Sequence, residues 1–453
     1  MRITDAVIAG TLFETLWDIL SSRVALMMYF ILLFASIAGM IVAVMKLTTE
    51  QSAKQASDGT GAGDGTEDGD TGLKAEAADG AEGGMLELID DDDITSRFHT
   101  LIQYDRAALR YVPPKHDDAI TLPMICRNFR NYAACRLGLF YSEEDVRKFV
   151  AGLGVSHLMV MQGLSGTGKT SMATAFGSYL QNPSTVISVQ PMWKERSDII
   201  GYFNEFTKRF SEGTLLKKLY EARYTDEIYV IVLDEMNIAR VEYYFADFLS
   251  QMELNPASRY LEVVSDTWED DPKLLERGML RIPENVWFIG TANNDDSTFA
   301  ISDKVYDRAM VMNLDRKADL FEPERVDGDR ISFSRFTELT KEAKETYHMS
   351  EEAAEKVRKI DEFLTERFRV TYGNRIRRQM EEYIPVYLAC GGTEAEAVDD
   401  MLAKKVLRKL DGLSPVLIRY SMDALENVFE MTFGLANMPL CRDSLDRLRR
   451  NAS

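Results

Sequence analysis

The sequence predicts an α/β fold, with a parallel-sheet core followed by an all-helical C-terminal unit. Three observations carry this. From residue 154 short apolar runs alternate with helix-like stretches, at 157–162, 185–189, 228–233 and 286–290, the pattern of parallel strands joined by crossover helices. After about residue 330 the strand pattern stops, and helical segments follow at 350–368, 375–388, 394–410, 417–433 and 440–450. Finally, one strand-to-helix junction reads Gly163, Leu164, Ser165, Gly166, Thr167, Gly168, Lys169, Thr170, a G-x-x-x-x-G-K-T loop.

The chain opens on an amphipathic stretch, 6–21, in which Thr11, Glu14, Asp18 and Ser21 share one helical face. Residues 24–45 are a 22-residue run without a charge, bracketed by Arg23 and Lys46. At 1.5 Å per residue such a run crosses a hydrocarbon core of about 30 Å. It is long for the apolar region of a signal peptide, and no small-x-small cleavage site comes after it. The expectation for 1–47 is therefore an amphipathic segment plus a single transmembrane helix. Arg2 and Arg23 on one side balance Lys46 and Lys54 on the other, so charge bias does not set the orientation. The nucleotide chemistry expected of the later motifs puts the C-terminal bulk in the cytosol, as a single-pass protein of the inner (cytoplasmic) membrane.

Residues 48–95 are expected to be a disordered acidic linker. Fourteen acids face two lysines between positions 48 and 93, more than half of the chain's net charge of −20. So few large apolar side chains cannot offset the entropy of ordering. The rest of the chain is only mildly acidic and offers no basic nucleic-acid footprint, so direct DNA binding is not indicated. A charged pore lining formed on assembly stays open. Four cysteines without a C-x-x-C pair and four histidines without ligand spacing read as reduced core thiols and ordinary histidines.

Residues 96–150, with Pro113-Pro114 and a helix expected over 143–153, are too short for a domain and read as an extension packed on the core. The core itself spans 151–328. At its first strand the glycines let consecutive backbone N–H groups close around phosphate oxygens, and the next helix N-terminus adds a positive dipole end. Lys169 is placed to reach β and γ phosphates, and the Thr170 hydroxyl to bind Mg²⁺. The run 228–235 ends in Asp234 and Glu235 at the carboxyl end of a buried strand, where open α/β sheets bind ligands. Asp234 suits Mg²⁺, and Glu235 suits a base for an attacking water. A third strand, 286–293, ends in Asn293, suited to sit between γ-phosphate and water. The helical lid is expected over 329–453.

Taken together these pieces resemble the AAA+ ATPases, and more narrowly their McrB-like branch, whose namesake is the motor subunit of a methylcytosine-dependent restriction system. The stretches that carry the resemblance are GLSGTGKT (163–170), RSDIIGYFNEFTKRF (196–210), VLDEMNIARVEYYFADFLSQME (232–253), FIGTANNDDSTFAISDKVYDRA (288–309), YGNRIRRQMEEYI (372–384) and LAKKVLRKLDG (402–412). The resemblance implies a P-loop core with a helical lid, Asn293 as sensor 1 and Arg308 as the arginine reaching into a neighbour's site. It implies Arg375 as sensor 2, with Arg377 and Arg378 close enough to compete; Arg240 is a further candidate across the interface. It also implies a homo-hexamer.

The namesake uses GTP, but here the third strand continues as Asn294, Asp295, Asp296, Ser297 without the Asp-Arg pair of that member, which favours ATP. The namesake's DNA-reading domain is replaced by the apolar run and linker, so recognition of methylated DNA does not transfer. The expectation is a membrane-anchored, ring-forming ATPase that remodels or activates a partner, such as a separately encoded nuclease or other defence effector. Two alternatives remain: a MoxR-like chaperone for membrane or metal-enzyme clients, and a nucleotide-gated membrane scaffold without turnover.

Overall fold

The computed structural model describes residues 84–88, 94–293, 298–315 and 318–452. The amphipathic stretch 6–21, the apolar run 24–45 and most of the linker 48–95 lie outside the described residues, as do Asn294 to Ser297. Among the described residues no helix is long and apolar enough to cross a membrane.

Five parallel strands build the central sheet: β1 (Leu158–Gly163), β2 (Thr185–Ser188), β5 (Tyr229–Asp234), β9 (Val286–Asn293) and β10 (Met310–Asn313), in the order β10-β1-β9-β5-β2. Two small antiparallel additions interrupt the crossovers, a hairpin of β3 (Gly201–Asn204) with β4 (Arg209–Glu212), and a three-stranded sheet of β6 (Tyr260–Glu262), β7 (Leu275–Glu276) and β8 (Met279–Arg281).

Strand side chains alternate between faces, so β1, β5 and β9 each feed two cores, while β10 feeds one. Met159, Met161, Val230, Val232, Trp287, Ile289, Met310 and Met312 enter one cluster. Leu158, Val160, Tyr229, Ile231, Leu233, Val286, Phe288 and Ala292 enter the other. The first cluster is closed by α2 (Leu122–Leu137) and α3 (Glu143–Leu153) ahead of β1, by α4 (Lys169–Tyr179) after it, and then by the C-terminal helices α10 (Phe333–Thr346), α11 (Glu351–Phe368), α12 (Gly373–Ala389), α13 (Glu394–Met401), α14 (Pro415–Thr432) and α15 (Pro439–Ala452). The second cluster takes α1 (His99–Ala108) and α6 (Thr214–Ala222), with the short helices α5 (Arg196–Ile200), α7 (Val241–Tyr244), α8 (Ala246–Gln251) and α9 (Asp303–Tyr306).

Four helix starts carry side-chain caps. Ser142, Ser332 and Ser350 each accept from the backbone N–H three residues on, and Thr393 forms a reciprocal box with Glu396. The stretch 394–410 does not run as one α-helix. It is α-helical to Met401, π-helical over Leu402–Val406 and 3₁₀ over Leu407–Leu410.

The near end of the acidic linker is anchored. Leu86 is buried, and its N–H donates to the fully buried Glu221 carboxylate at 3.2 Å. Arg97, with its side chain 1% exposed, pairs with Asp266 and Asp271 and lies 4.4 Å from the Trp268 ring centroid.

At the foot of β1, His157 stacks on Trp287 at 4.9 Å, and its Nε2 lies 2.8 Å from the Glu284 carbonyl oxygen. That carbonyl only accepts, so Nε2 carries a proton. Burial, with Arg259 nearby, pushes the ring down to about 4 from 6.5. The unfolded chain therefore binds a proton between those values that the folded chain refuses. Stability contributed by His157 is full above pH 6.5 and declines as the pH falls towards about 4. We expect His157→Gln, which keeps a donor, to remove about 2 kcal/mol of acid-dependent loss, one pKa unit being worth about 1.4 kcal/mol. Urea titrations of both chains at pH 7 and pH 4.5 measure the difference; identical losses would contradict it.

Candidate active site

The loop between β1 and α4 turns back on itself at the strand tips. Gly163 has φ +146°, and a Cβ there would lie 2.4 Å from the Leu314 carbonyl oxygen, so only glycine lets β1 end flush against the segment after β10. Gly166 and Gly168 also take positive φ, and nothing lies within 4 Å of a Cβ built at Gly166. Lys169 is 7% exposed and donates to the carbonyls of Gly163 at 3.1 Å and Leu164 at 2.8 Å. Burial lowers its pKa, opposed by Asp315 and Asp234. Tyr141 closes the loop from behind, with its hydroxyl 3.3 Å from the Gly168 carbonyl oxygen.

Three oxygens meet beside the loop. The Asp234 carboxylate accepts from the Thr170 hydroxyl at 2.7 Å and from the Thr291 hydroxyl at 2.8 Å. This couples the tips of β5 and β9 to the first turn of α4. Carboxylate and hydroxyl oxygens are the hard donors that Mg²⁺ prefers, and they sit beside a phosphate cradle, so the residues present fit a Mg²⁺–nucleotide.

Glu235 departs from ordinary backbone geometry, at φ 53° and ψ 45°. For a residue with a Cβ this left-handed conformation costs about 1–2 kcal/mol. It is held by its N–H donating to Thr291 Oγ1 at 2.9 Å, and by Met236 packed where β9 has Gly290; a Cβ at Gly290 would lie 2.0 Å from Met236 Sδ. The strain turns the Glu235 side chain out of the sheet, where the residue is exposed. Asn237 then ties the turn to the third strand, donating to the carbonyls of Asn293 at 3.0 Å and Phe299 at 3.2 Å. A cleft of about 1240 Å³ opens at these strand tips against the C-terminal helices, with Gln162, Asn293, Asp315, Lys404 and Arg408 in its wall.

The structure thus brings Gly163–Thr170, Asp234, Glu235 and Asn293 to one end of the sheet. Arg308 and Arg375 meet elsewhere. Both pair with Glu253, beyond the end of α8. Arg308 also donates to the carbonyls of Leu249 at 3.0 Å and Lys304 at 2.6 Å. Arg377 and Arg378 form i,i+4 pairs with Glu381 and Glu382 on α12. Arg240 is more open than Arg308, with its side chain 52% exposed against 18% and its guanidinium 5.0 Å from the Phe299 ring centroid.

Residues 158–309, which contain β1, the loop, Asp234, Glu235, Asn293 and Arg308, match the AAA domain of the dynein-related subfamily. The chain carries an AAA ATPase domain. Residues 325–453 match a family described as a domain of unknown function. No curated protein matches. Among solved structures, the chain is similar to a "putative ATPase" from Cytophaga hutchinsonii, with 13% identity over 68% of this chain and 96% of that one and a TM-score of 0.44.

Three residues gathered near these strand tips lie outside those that the motifs single out. Thr291 and Asn237 lie inside the quoted GTAN and DEMN stretches, so their signal was present but their partners were not. Asp315 arrives through β10, a four-residue strand too short to be assigned from its apolar content.

Proposed function

We propose that the chain is a membrane-anchored, ring-forming ATPase that couples ATP hydrolysis to remodelling or activation of a separate protein. The observation that carries the catalytic part is the Thr170–Asp234–Thr291 oxygen set, 2.7 and 2.8 Å apart, between the phosphate loop and the strained Glu235. In this reading backbone N–H groups of 163–170 and the Lys169 ammonium bind phosphate oxygens, which requires Lys169 to leave the two loop carbonyls it now holds. Thr170 and Asp234 hold Mg²⁺, which supplies charge neutralisation at the phosphates. Glu235 accepts the proton of the attacking water, and Asn293 orients that water.

The anchor at 24–45 and the acidic linker support attachment to the inner membrane with the ATPase domain in the cytosol. A cationic group from a neighbouring copy, Arg308 or Arg240, completes the site and makes the assembly a ring, a hexamer by resemblance. The dynein-related match favours mechanical work on a protein client, which suits the MoxR-like alternative as well as the McrB-like one; a nuclease partner would mark the latter.

The test is direct. Lys169→Ala should abolish nucleotide binding and Mg²⁺-dependent ATP turnover in the detergent-solubilised full chain, and chelating Mg²⁺ should do the same to the parent turnover. Retained turnover in Lys169→Ala would place the chemistry elsewhere. A chain lacking residues 1–47 should leave the membrane fraction; its persistence there would move the anchor.

A further inference from the structure

Lys405 is 2% exposed and sits in the π-helical turn Leu402–Val406 of the C-terminal unit. Its ammonium donates to the backbone carbonyls of Tyr306 and Ala309, each at 2.6 Å. Gln379 on α12 takes the two carbonyls between them, Asp307 at 3.2 Å and Arg308 at 3.5 Å, and Ser156 donates to Arg308 O at 2.9 Å. Four consecutive carbonyls, 306 to 309, are thus held by side chains, two of which come from the C-terminal helices. The same helices grip the side chains of this segment. Arg408 pairs with Asp303 at 2.7 Å and lies over the Tyr306 ring at 3.8 Å, and Lys409 pairs with Asp307 at 3.3 Å.

A π turn inserts one extra residue into a helical turn and rotates the residues after it, and such turns concentrate at functional positions. Here it aims the Lys405 ammonium at the segment before β10. A cation is an expensive way to close two carbonyls: burial pushes it down to about 7, only partly offset by Asp307.

We propose that Lys405 is a positioning residue for a neighbouring copy's site: by holding the backbone of 306–309 it sets where Arg308 projects, so the C-terminal helices govern the cation that this chain offers its neighbour. This rests on the reading of Arg308 as the group supplied in trans. A shift of about 1 Å in such a group can cost about 100-fold in rate.

Mixed assemblies of full-length chains test it. Lys405→Met keeps the aliphatic stem and removes the donors; Gln379→Leu is a milder variant in the same contact. Each should bind ATP normally and lose turnover, by about tenfold to 100-fold for Lys405→Met. Mixing with Lys169→Ala chains, whose loop is disabled but whose 306–309 segment is intact, should restore turnover. Mixing with Arg308→Ala chains should not, because both variants then lack the same half-site. Rescue by Arg308→Ala chains, or full turnover in both variants, would overturn the proposal. If Arg308→Ala and Lys169→Ala chains fail to rescue one another, the trans reading of Arg308 fails first and the role of Lys405 falls with it. Should Lys405→Met not fold, Gln379→Leu alone must show the same rescue pattern or the proposal is wrong.

Discussion

Chains carrying Arg308→Ala are expected to lose about 1,000-fold or more of their ATP turnover, the scale on which a guanidinium at a transferring γ-phosphoryl group acts. They should bind ATP as before. Mixed with Lys169→Ala chains they should recover, because one supplies an intact loop and the other an intact arginine. The structure sharpens this expectation. In a single chain Arg308 spends its donors on Leu249 O, Lys304 O and Glu253, so its use by a neighbour requires exchanging the Glu253 carboxylate for a phosphate oxygen. Glu253 also holds Arg375, and the two arginines form one cationic edge around one acid. Arg240 is the competitor, exposed and lightly tied to Glu242 at 3.9 Å. If Arg240→Ala, and not Arg308→Ala, complements Lys169→Ala, the trans cation is Arg240.

Glu235→Gln is expected to lower turnover by about 100-fold to 10,000-fold while leaving ATP affinity intact, the usual reach of a positioned general base. Gln is close in shape to Glu and keeps the backbone N–H to Thr291, so the left-handed turn has no reason to relax. Thr291→Val should act differently. It leaves the Glu235 N–H without its acceptor and removes a donor from Asp234, so both affinity and turnover should fall. Steady-state kinetics that separate kcat from KM distinguish the two.

Much of this site was legible because its parts are local. The loop lies within eight residues, and Asp234, Glu235 and Asn293 each close a buried apolar strand whose polar tip stands out against what precedes it. Buried parallel strands read as continuous apolar runs, which is why β1, β5 and β9 were visible; β2, half-buried to exposed along its length, shows instead through its β-branched Thr185, Val186 and Ile187. β10 was not, because Met310, Val311 and Met312 are too few to separate from their surroundings. The strands of the β3–β4 hairpin and the β6–β8 sheet are two to four residues long, too short to show a period. α10 was likewise missed; only Phe336, Leu339, Thr340 and Ala343 of its residues are buried, and its start is set by the Ser332 cap. The meeting of Arg308 and Arg375 on Glu253 joins positions more than fifty residues apart, which no local pattern can report. Nor can periodicity reveal that 394–410 changes from α to π at Leu402 and so turns Lys405 inward.

The most direct measurement is the identity of the nucleotide bound to the full-length chain after a brief incubation with ATP and Mg²⁺. The account predicts ADP on the parent chain, unconverted ATP on Glu235→Gln and nothing on Lys169→Ala. ADP on Glu235→Gln formed at the parent rate would contradict it.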